Sequence, residues 1–169
     1  ANSGIRKTEE GLVKYIDLGI TPEKLVLGVP WYGYNYPCIN MTENETCYIK
    51  EVPFRAANCS DAAGHQYSYS TIVETFLPNS TTGRLWDSDS QSSYFNYVDP
   101  ASRNTQQIWY DDPESLADKY DLAVRYNLRG VGMWSAEQVS HSNSTAGQIQ
   151  RQEMWGALPS YQHNHVIQI

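Results

Sequence analysis

Two short apolar runs, at residues 25–30 (LVLGVP) and 128–134 (LRGVGMW), constrain the fold of this chain more than any other feature. A near-continuous apolar run of this length is typical of a parallel strand that is buried on both faces. Each run follows a segment with helical spacing of apolar residues, which predicts repeated helix–strand units. Two strands alone cannot form a stable, doubly covered parallel sheet. The sequence therefore predicts the end of a larger α/β domain.

The second run places glycines and a tryptophan on one face of its strand. Side chains alternate along a strand, so Val131 and Met133 point one way and Gly130, Gly132 and Trp134 point the other. Glycines on one face allow another group to approach the backbone closely. Trp134 either packs in a core or offers a flat apolar platform to a ligand, and the residue pattern leaves both open.

The segment between the two runs, residues 35–104, is polar and rich in turn residues. A structureless loop of this length is uncommon in a compact domain. Strand-like pieces at residues 47–52 and 94–98, and a possible short helix at 70–77, predict a small α+β insertion. We therefore expect a main domain made of residues 1–34 and 105–159, an insertion at 35–104 and a tail at 160–169.

Glycosylation sequons and cysteines within the chain predict passage through the secretory pathway, and hence a lysosomal or secreted location. The five N-x-S/T sequons are at Asn40, Asn44, Asn58, Asn79 and Asn143. Cys38, Cys47 and Cys59 match no standard zinc spacing. In a secreted protein they predict one disulfide and one odd cysteine, and the spacing does not fix the pairing.

The composition narrows the range of partners. The net charge is −7 and there is no basic run, which argues against phosphate-mediated binding of nucleic acid. No apolar stretch has the length of a membrane span, and we expect neither metal nor cofactor. The chain has 13 Tyr and 5 Trp against 3 Phe, a balance that suits partly wet surfaces and polar ligands.

Three motifs, in their order and spacing, carry a resemblance to a known family. They are residues 25–33 (LVLGVPWYG), 109–115 (WYDDPES) and 130–134 (GVGMW). Together they resemble the family-18 glycoside hydrolases, the chitinase family. The resemblance implies an α/β fold: the last two βα units of a TIM (β/α)8 barrel, with residues 35–104 as the α+β chitinase-insertion subdomain. Shorter matches inside the insertion are most similar to the lysosomal, exo-acting branch of the family.

The resemblance also implies a reaction, the hydrolysis of β-1,4-linked N-acetylglucosamine in the chitobiose core of Asn-linked glycans. In this family a glutamate protonates the glycosidic oxygen and the substrate's acetamide attacks the anomeric carbon. The D-x-x-D-x-D-x-E motif that supplies the glutamate does not occur in this sequence, and residues 87–91 (DSDSQ) end in Gln. We expect a glycosidase when full-length and no activity from this chain alone. The alternative is a non-catalytic, lectin-like member of the family.

The resemblance assigns substrate-binding roles, and no catalytic one, to residues of this chain. Trp134 matches the floor on which a sugar ring stacks, and Tyr32 matches a tyrosine at the mouth of strand seven. Tyr34 stands where many chitinases have Arg. Trp31 is either cleft wall or core, while Asp111 either orients the cleft or, more in keeping with its position, caps a helix. The expected partner is an N-acetylglucosamine oligosaccharide, bound by a protein that is a monomer when full-length.

Overall fold

The computed structural model describes residues 1–43, 45–57 and 60–159. Within these residues, four helices and eight strands follow one another, with short 3-10 turns between some of them. In chain order they are α1 (Ile5–Asp17), β1 (Val26–Pro30), β2 (Tyr32–Met41), β3 (Cys47–Ile49), β4 (His65–Ser68), α2 (Tyr69–Thr71), β5 (Leu85–Asp87), β6 (Ser92–Val98), β7 (Thr105–Tyr110), α3 (Pro113–Arg125), β8 (Gly130–Trp134) and α4 (Thr145–Gly156). The short helix α2 continues as a π turn at Ile72–Phe76 and a 3-10 turn at Leu77–Asn79.

The two apolar runs form a two-stranded parallel sheet, as predicted. Strand β1 pairs with β8 in a register that runs from Val26 opposite Gly130 to Pro30 opposite Trp134. A small core on one side joins Leu12 of α1, Ala123 of α3 and Leu128. The predicted α/β class is therefore confirmed, since the pair is parallel and helices pack against it.

A larger antiparallel sheet accounts for most of the remaining strands. Its order is β3-β2-β7-β6-β5, with β4 also paired to β2. Strand β2 crosses the start of the insertion expected from the sequence, because it runs through residues 34 and 35, whereas β7 begins at residue 105, directly after the expected end. The division into 1–34 with 105–159, 35–104 and 160–169 stays a prediction, and 160–169 lies outside the described residues.

The main hydrophobic core lies where the two sheets meet. Trp31, between β1 and β2, has no exposed surface, and its indole N–H donates to the hydroxyl of Tyr120 at 3.2 Å. Ile72, Phe95 and Ile108 are also fully buried in this cluster. The core therefore ties α3 to the start of the antiparallel sheet.

A glycine is needed where β2 pairs with β7, at Gly33 opposite Tyr110. A Cβ at Gly33 would lie 2.5 Å from the carbonyl oxygen of Trp109 and 2.8 Å from the Cβ of Tyr110. Contacts this short do not occur between real side chains and backbone, so any larger residue would push the two strands apart.

Helix α3 begins at a capping box built on Asp112. The Asp112 carboxylate accepts from the backbone N–H of Ser115 at 3.0 Å, and the Ser115 hydroxyl accepts from the backbone N–H of Asp112 at 2.9 Å. The expectation that Asp111 caps this helix is therefore wrong. Asp111 lies one residue too early for its side chain to serve the N3 amide, which is the usual capping partner.

The cysteine and sequon predictions have partial outcomes. Cys38 and Cys47 form a disulfide between β2 and β3, which confirms the predicted bridge, and Cys59 lies outside the described residues. Asn40, Asn79 and Asn143 are exposed, as a glycan requires, whereas Asn44 and Asn58 lie outside the described residues. Within the described ranges, no helix is both long and apolar enough to cross a membrane.

Candidate functional site

Trp134 forms an exposed aromatic platform at the C-terminal end of β8. Its side chain is 72% exposed in this chain, and its role as a ligand platform stays a prediction. The Trp134 carbonyl accepts from the backbone N–H of Trp31 at 2.9 Å, which fixes the ends of β1 and β8 side by side. A cis peptide bond joins Trp134 to Ser135.

Trp31 packs in the core and has no surface that a ligand could touch. Its ring lies edge-on to Trp155, with 5.0 Å between the centroids, and is fully enclosed. Of the two roles that the sequence left open for Trp31, core packing describes its position in this structure.

Three tyrosines form a ladder on one face of β2. Tyr32, Tyr34 and Tyr36 alternate with the buried Gly33 and Asn35, as the two-residue period of a strand requires. The centroids of the first two rings are 5.9 Å apart, and those of the second two are 6.0 Å apart. All three side chains are half-buried, so the ladder presents ring faces and hydroxyls together.

The tyrosine ladder forms one wall of an open cleft of about 400 Å³. The other lining residues come from the chain start and from the segment after β3: Ala1, Asn2, Phe54, Asp61, Ala62 and Gly64. The hydroxyl of Tyr36 donates to Asp61 Oδ2 at 3.4 Å. Burial, followed by the Asp61 charge and this hydrogen bond, raises the pKa of Tyr36 to about 12. The phenol therefore stays protonated and remains a donor.

Asp111 follows β7 directly and is buried. Its carboxylate is 2% exposed and forms an ion pair with Lys119, which has no exposed surface. Two hydroxyls also donate to it, that of Ser115 at 3.0 Å and that of Ser3 at 3.4 Å. This arrangement ties the end of β7 to α3 and to the chain start. The substrate-binding role expected for Asp111 has no support from its position.

Sequence reasoning missed one cleft residue, Tyr36. The alternation of tyrosines at 32, 34 and 36 was a usable signal, because residues two apart share one face of a strand. Nothing in the sequence indicates that Asp61 lies near Tyr36, because Asp61 belongs to a separate segment that meets β2 only in the folded structure. Among the described residues, no group of His, Cys, Asp and Glu side chains could hold a metal ion.

Comparison with known proteins identifies the family. The sequence profile described as "Glycosyl hydrolases family 18" matches residues 2–138. The chain belongs to glycosyl hydrolase family 18. The resemblance that the three sequence motifs carried is therefore confirmed. The fold of this family is the chitinase TIM barrel. The parallel pair β1–β8 and the helices packed against it are therefore part of a chain whose family has a barrel fold.

Curated relatives of this family-18 chain include several di-N-acetylchitobiases. The chain is 48% identical to that of Mus musculus over 94% of its own length and 43% of the relative. It is 46% identical to that of Homo sapiens, over 94% of the chain and 40% of the relative. A probable di-N-acetylchitobiase of Dictyostelium discoideum is 42% identical, over 95% and 43%. The chain therefore spans less than half the length of the relatives it matches.

Solved structures that are similar to this family-18 chain include chitinases. A chitinase from Rhizomucor miehei superposes with a TM-score of 0.59 at 25% identity, covering 88% of this chain and 43% of that one. A Cycas revoluta chitinase variant in complex with (GlcNAc)4 superposes with a TM-score of 0.60 at 22% identity, over 87% and 37%. The second likeness shows the shared fold alone.

Proposed function

We propose that this chain is the C-terminal part of a family-18 glycosidase that hydrolyses β-1,4-linked N-acetylglucosamine. The substrates are the chitobiose core of Asn-linked glycans and chito-oligosaccharides. In this proposal β1 and β8 are strands seven and eight of the barrel, and the antiparallel sheet is the insertion subdomain. The identity to di-N-acetylchitobiases over nearly the whole chain supports this substrate class. The sequons and the disulfide fit a lysosomal or secreted protein that is a monomer when full-length.

The observation that carries the proposal is the exposed ring of Trp134 at the C-terminal end of a parallel strand. Active sites of TIM barrels lie at this end of the strands. The apolar face of a pyranose ring can stack on the indole, whose negative face attracts the C–H groups. Tyr32 and Tyr34 lie on β2, which follows β1 directly, and in this proposal their hydroxyls bind polar groups of the sugar.

In this proposal the residues of this chain bind and orient the substrate. The proton that the glycosidic oxygen receives comes from a residue outside positions 1–169. Glu137 is the carboxylate nearest along the chain to the platform, but it is exposed and accepts a hydrogen bond from Ser135. That bond, followed by hydrogen bonding to a backbone N–H, lowers the pKa of Glu137. A general acid needs the opposite shift, so we assign Glu137 to the polar rim. Attack by the substrate's acetamide needs no protein nucleophile.

The second candidate is a lectin-like protein that binds chito-oligosaccharides without cleaving them. The observation that favours it is that three tyrosine rings with their hydroxyls line the cleft, an arrangement suited to binding a sugar. Both candidates use the same platform. Turnover by the full-length protein therefore separates them, whereas binding alone does not.

The test is Trp134→Ala in the full-length protein, with chitobiose hydrolysis as the readout. One ring face removes about 100 Å² from water, half of what a tryptophan can bury. At about 25 cal/mol per Å² this is ~2.5 kcal/mol, so kcat/KM falls roughly 70-fold. The matched control is Tyr15→Ala, which removes a 56% exposed ring from α1.

Each outcome of this test has a distinct meaning. Unchanged hydrolysis in Trp134→Ala contradicts the platform. Wild-type protein that binds chitobiose and does not cleave it contradicts the glycosidase and supports the lectin. An equal loss in Tyr15→Ala shows that the effect on hydrolysis is not specific to the cleft.

A further inference from the structure

Two large apolar side chains lie exposed where β2 pairs with β3, at one end of the antiparallel sheet. Ile39 of β2 is 67% exposed, and Tyr48 of β3 is 62% exposed. An aliphatic side chain and an aromatic ring at the same place form apolar surface in contact with water. Single exposed apolar residues are ordinary, but neighbouring ones often mark a contact with another group.

A β-bulge places Asn40 on the same face of the sheet as these two side chains. The pairing shifts by one residue between Cys38 and Asn40, so Ile39 and Asn40 together oppose Tyr48. In a regular strand Ile39 and Asn40 would point to opposite faces. Here Ile39, Asn40 and Tyr48 are all exposed, whereas Cys38 and Met41 on either side are half-buried. The three exposed side chains therefore share the open face.

Asn40 begins a glycosylation sequon, followed by Met41 and Thr42. A glycan on such a residue is attached to Nδ2 of the amide. The Oδ1 atom of Asn40 accepts from the backbone N–H of Met41 at 2.9 Å, which fixes the orientation of the amide. Within the described ranges, Nδ2 donates to no acceptor. The atom that carries the sugar is therefore free.

The ring of Tyr48 lies within reach of the first sugar on Asn40. Residues directly opposite each other on antiparallel strands have Cβ atoms about 4.5–5.5 Å apart. The Asn amide and the Tyr ring both begin at Cγ, so the sugar leaves the sheet beside the ring. This first sugar is N-acetylglucosamine, and its pyranose has an apolar face that can stack on an aromatic ring. The Cys38–Cys47 disulfide holds the two strands together at this place.

We propose that the glycan on Asn40 folds back onto its own strand pair, where its first N-acetylglucosamine covers Tyr48 and Ile39 and stabilises this end of the sheet. Asn79 and Asn143, the other sequon asparagines in the described residues, have no exposed large apolar side chain within five positions along the chain. The proposal needs the lysosomal or secreted location proposed above, and it does not depend on hydrolysis of any substrate.

The experiment uses the full-length protein secreted from eukaryotic cells, with urea unfolding as the readout. Mass spectrometry of the glycopeptides first measures occupancy, and an Asn40 without N-acetylhexosamine overturns the proposal. Asn40→Gln should lower the urea midpoint by about 0.5 M, because the apolar surface of Tyr48 and Ile39 returns to water. The matched control is Asn143→Gln, which removes a sequon without such surface beside it and should leave the midpoint unchanged.

Tyr48→Thr separates a contact with the ring from a general effect of glycosylation. It should lower the midpoint by a similar amount in the glycosylated protein and by much less in the Asn40→Gln background, where the ring has no sugar to contact. Equal losses in the two backgrounds refute the contact.

Enzymatic trimming identifies the sugar that makes the contact. An endoglycosidase that leaves one N-acetylglucosamine on Asn40 should leave the midpoint unchanged, and a fall to the Asn40→Gln value refutes the role of the first sugar. If Asn40→Gln is not secreted, the trimmed protein is compared with protein from which the whole glycan has been released, and equal midpoints refute the proposal. A wild type that hydrolyses no substrate contradicts the glycosidase and leaves these comparisons intact.

Discussion

Replacing Lys119 by Met tests whether a buried ion pair holds the end of β7 against α3. Lys119 has no exposed surface and Asp111 is 2% exposed. The Lys119 ammonium contacts Asp111 Oδ1 and also donates to the Ser92 hydroxyl at 3.3 Å. Methionine fills nearly the same volume, so the substitution removes the charge and leaves little cavity. The Asp111 carboxylate then stays buried without a cation.

The expected loss follows from the partners that Asp111 keeps. Removing one member of a buried pair costs about 3–5 kcal/mol, because it leaves an uncompensated charge. The hydroxyls of Ser115 and Ser3 still donate to the carboxylate, at 3.0 and 3.4 Å. We therefore expect the lower end of this range, about 3 kcal/mol of unfolding free energy. Lys119→Met with Asp111→Asn should recover most of it, because both charges are then absent.

Urea unfolding of the full-length protein measures this loss. With an m-value of about 3 kcal/mol per M, the midpoint should fall by roughly 1 M. Lys14→Met, which removes an exposed lysine of α1, is the control and should stay within about 0.5 kcal/mol of the wild type. If Lys119→Met lies within about 1 kcal/mol of the wild type, the pair does not hold β7 against α3 and the reasoning is refuted.

Two further predictions concern the attachment of α3 and the edge of the antiparallel sheet. Burial raises the pKa of Asp112, but the opposing hydrogen bonds from Arg84, at 2.6 Å, and from two serines are together larger, so the pKa is lowered. Its stabilising effect is complete above the unfolded pKa of about 3.9 and is lost as the pH falls through the depressed folded value. Asp112→Asn can still cap the helix, so it should lower the free energy of unfolding by about 1–2 kcal/mol near neutral pH and leave it unchanged in strong acid. A difference in urea midpoint between the variant and the wild type that persists in acid contradicts this. Replacing Cys38 and Cys47 by Ser opens a loop with a sequence separation of 9 and should cost about 2.5 kcal/mol; an unchanged urea midpoint argues against the bridge.

The sequence by itself determined the regular elements around the parallel pair. Residues 25–30 and 128–134 were predicted as strands and contain β1 and β8, because a continuous apolar run must be covered on both faces. Helical spacing and the Asp-Pro start predicted α3, which begins at Pro113. The same local reasoning placed a change of structure at residue 35, within β2. It did not anticipate the continuous strand β2, because the polar, tyrosine-rich pattern of a half-exposed strand resembles a loop.

Only the tertiary structure decided what each neighbouring side chain does. Trp31 and Tyr32 are adjacent and aromatic, yet one is enclosed by α3 and the other faces the cleft. Asp111 and Asp112 likewise divide into a buried ion pair and a helix cap. These outcomes depend on which distant elements pack against each residue, and burial of that kind has no local signature. The same holds for the cleft. Asp61 accepts a hydrogen bond from Tyr36 of β2, although Asp61 lies 25 residues further along the chain.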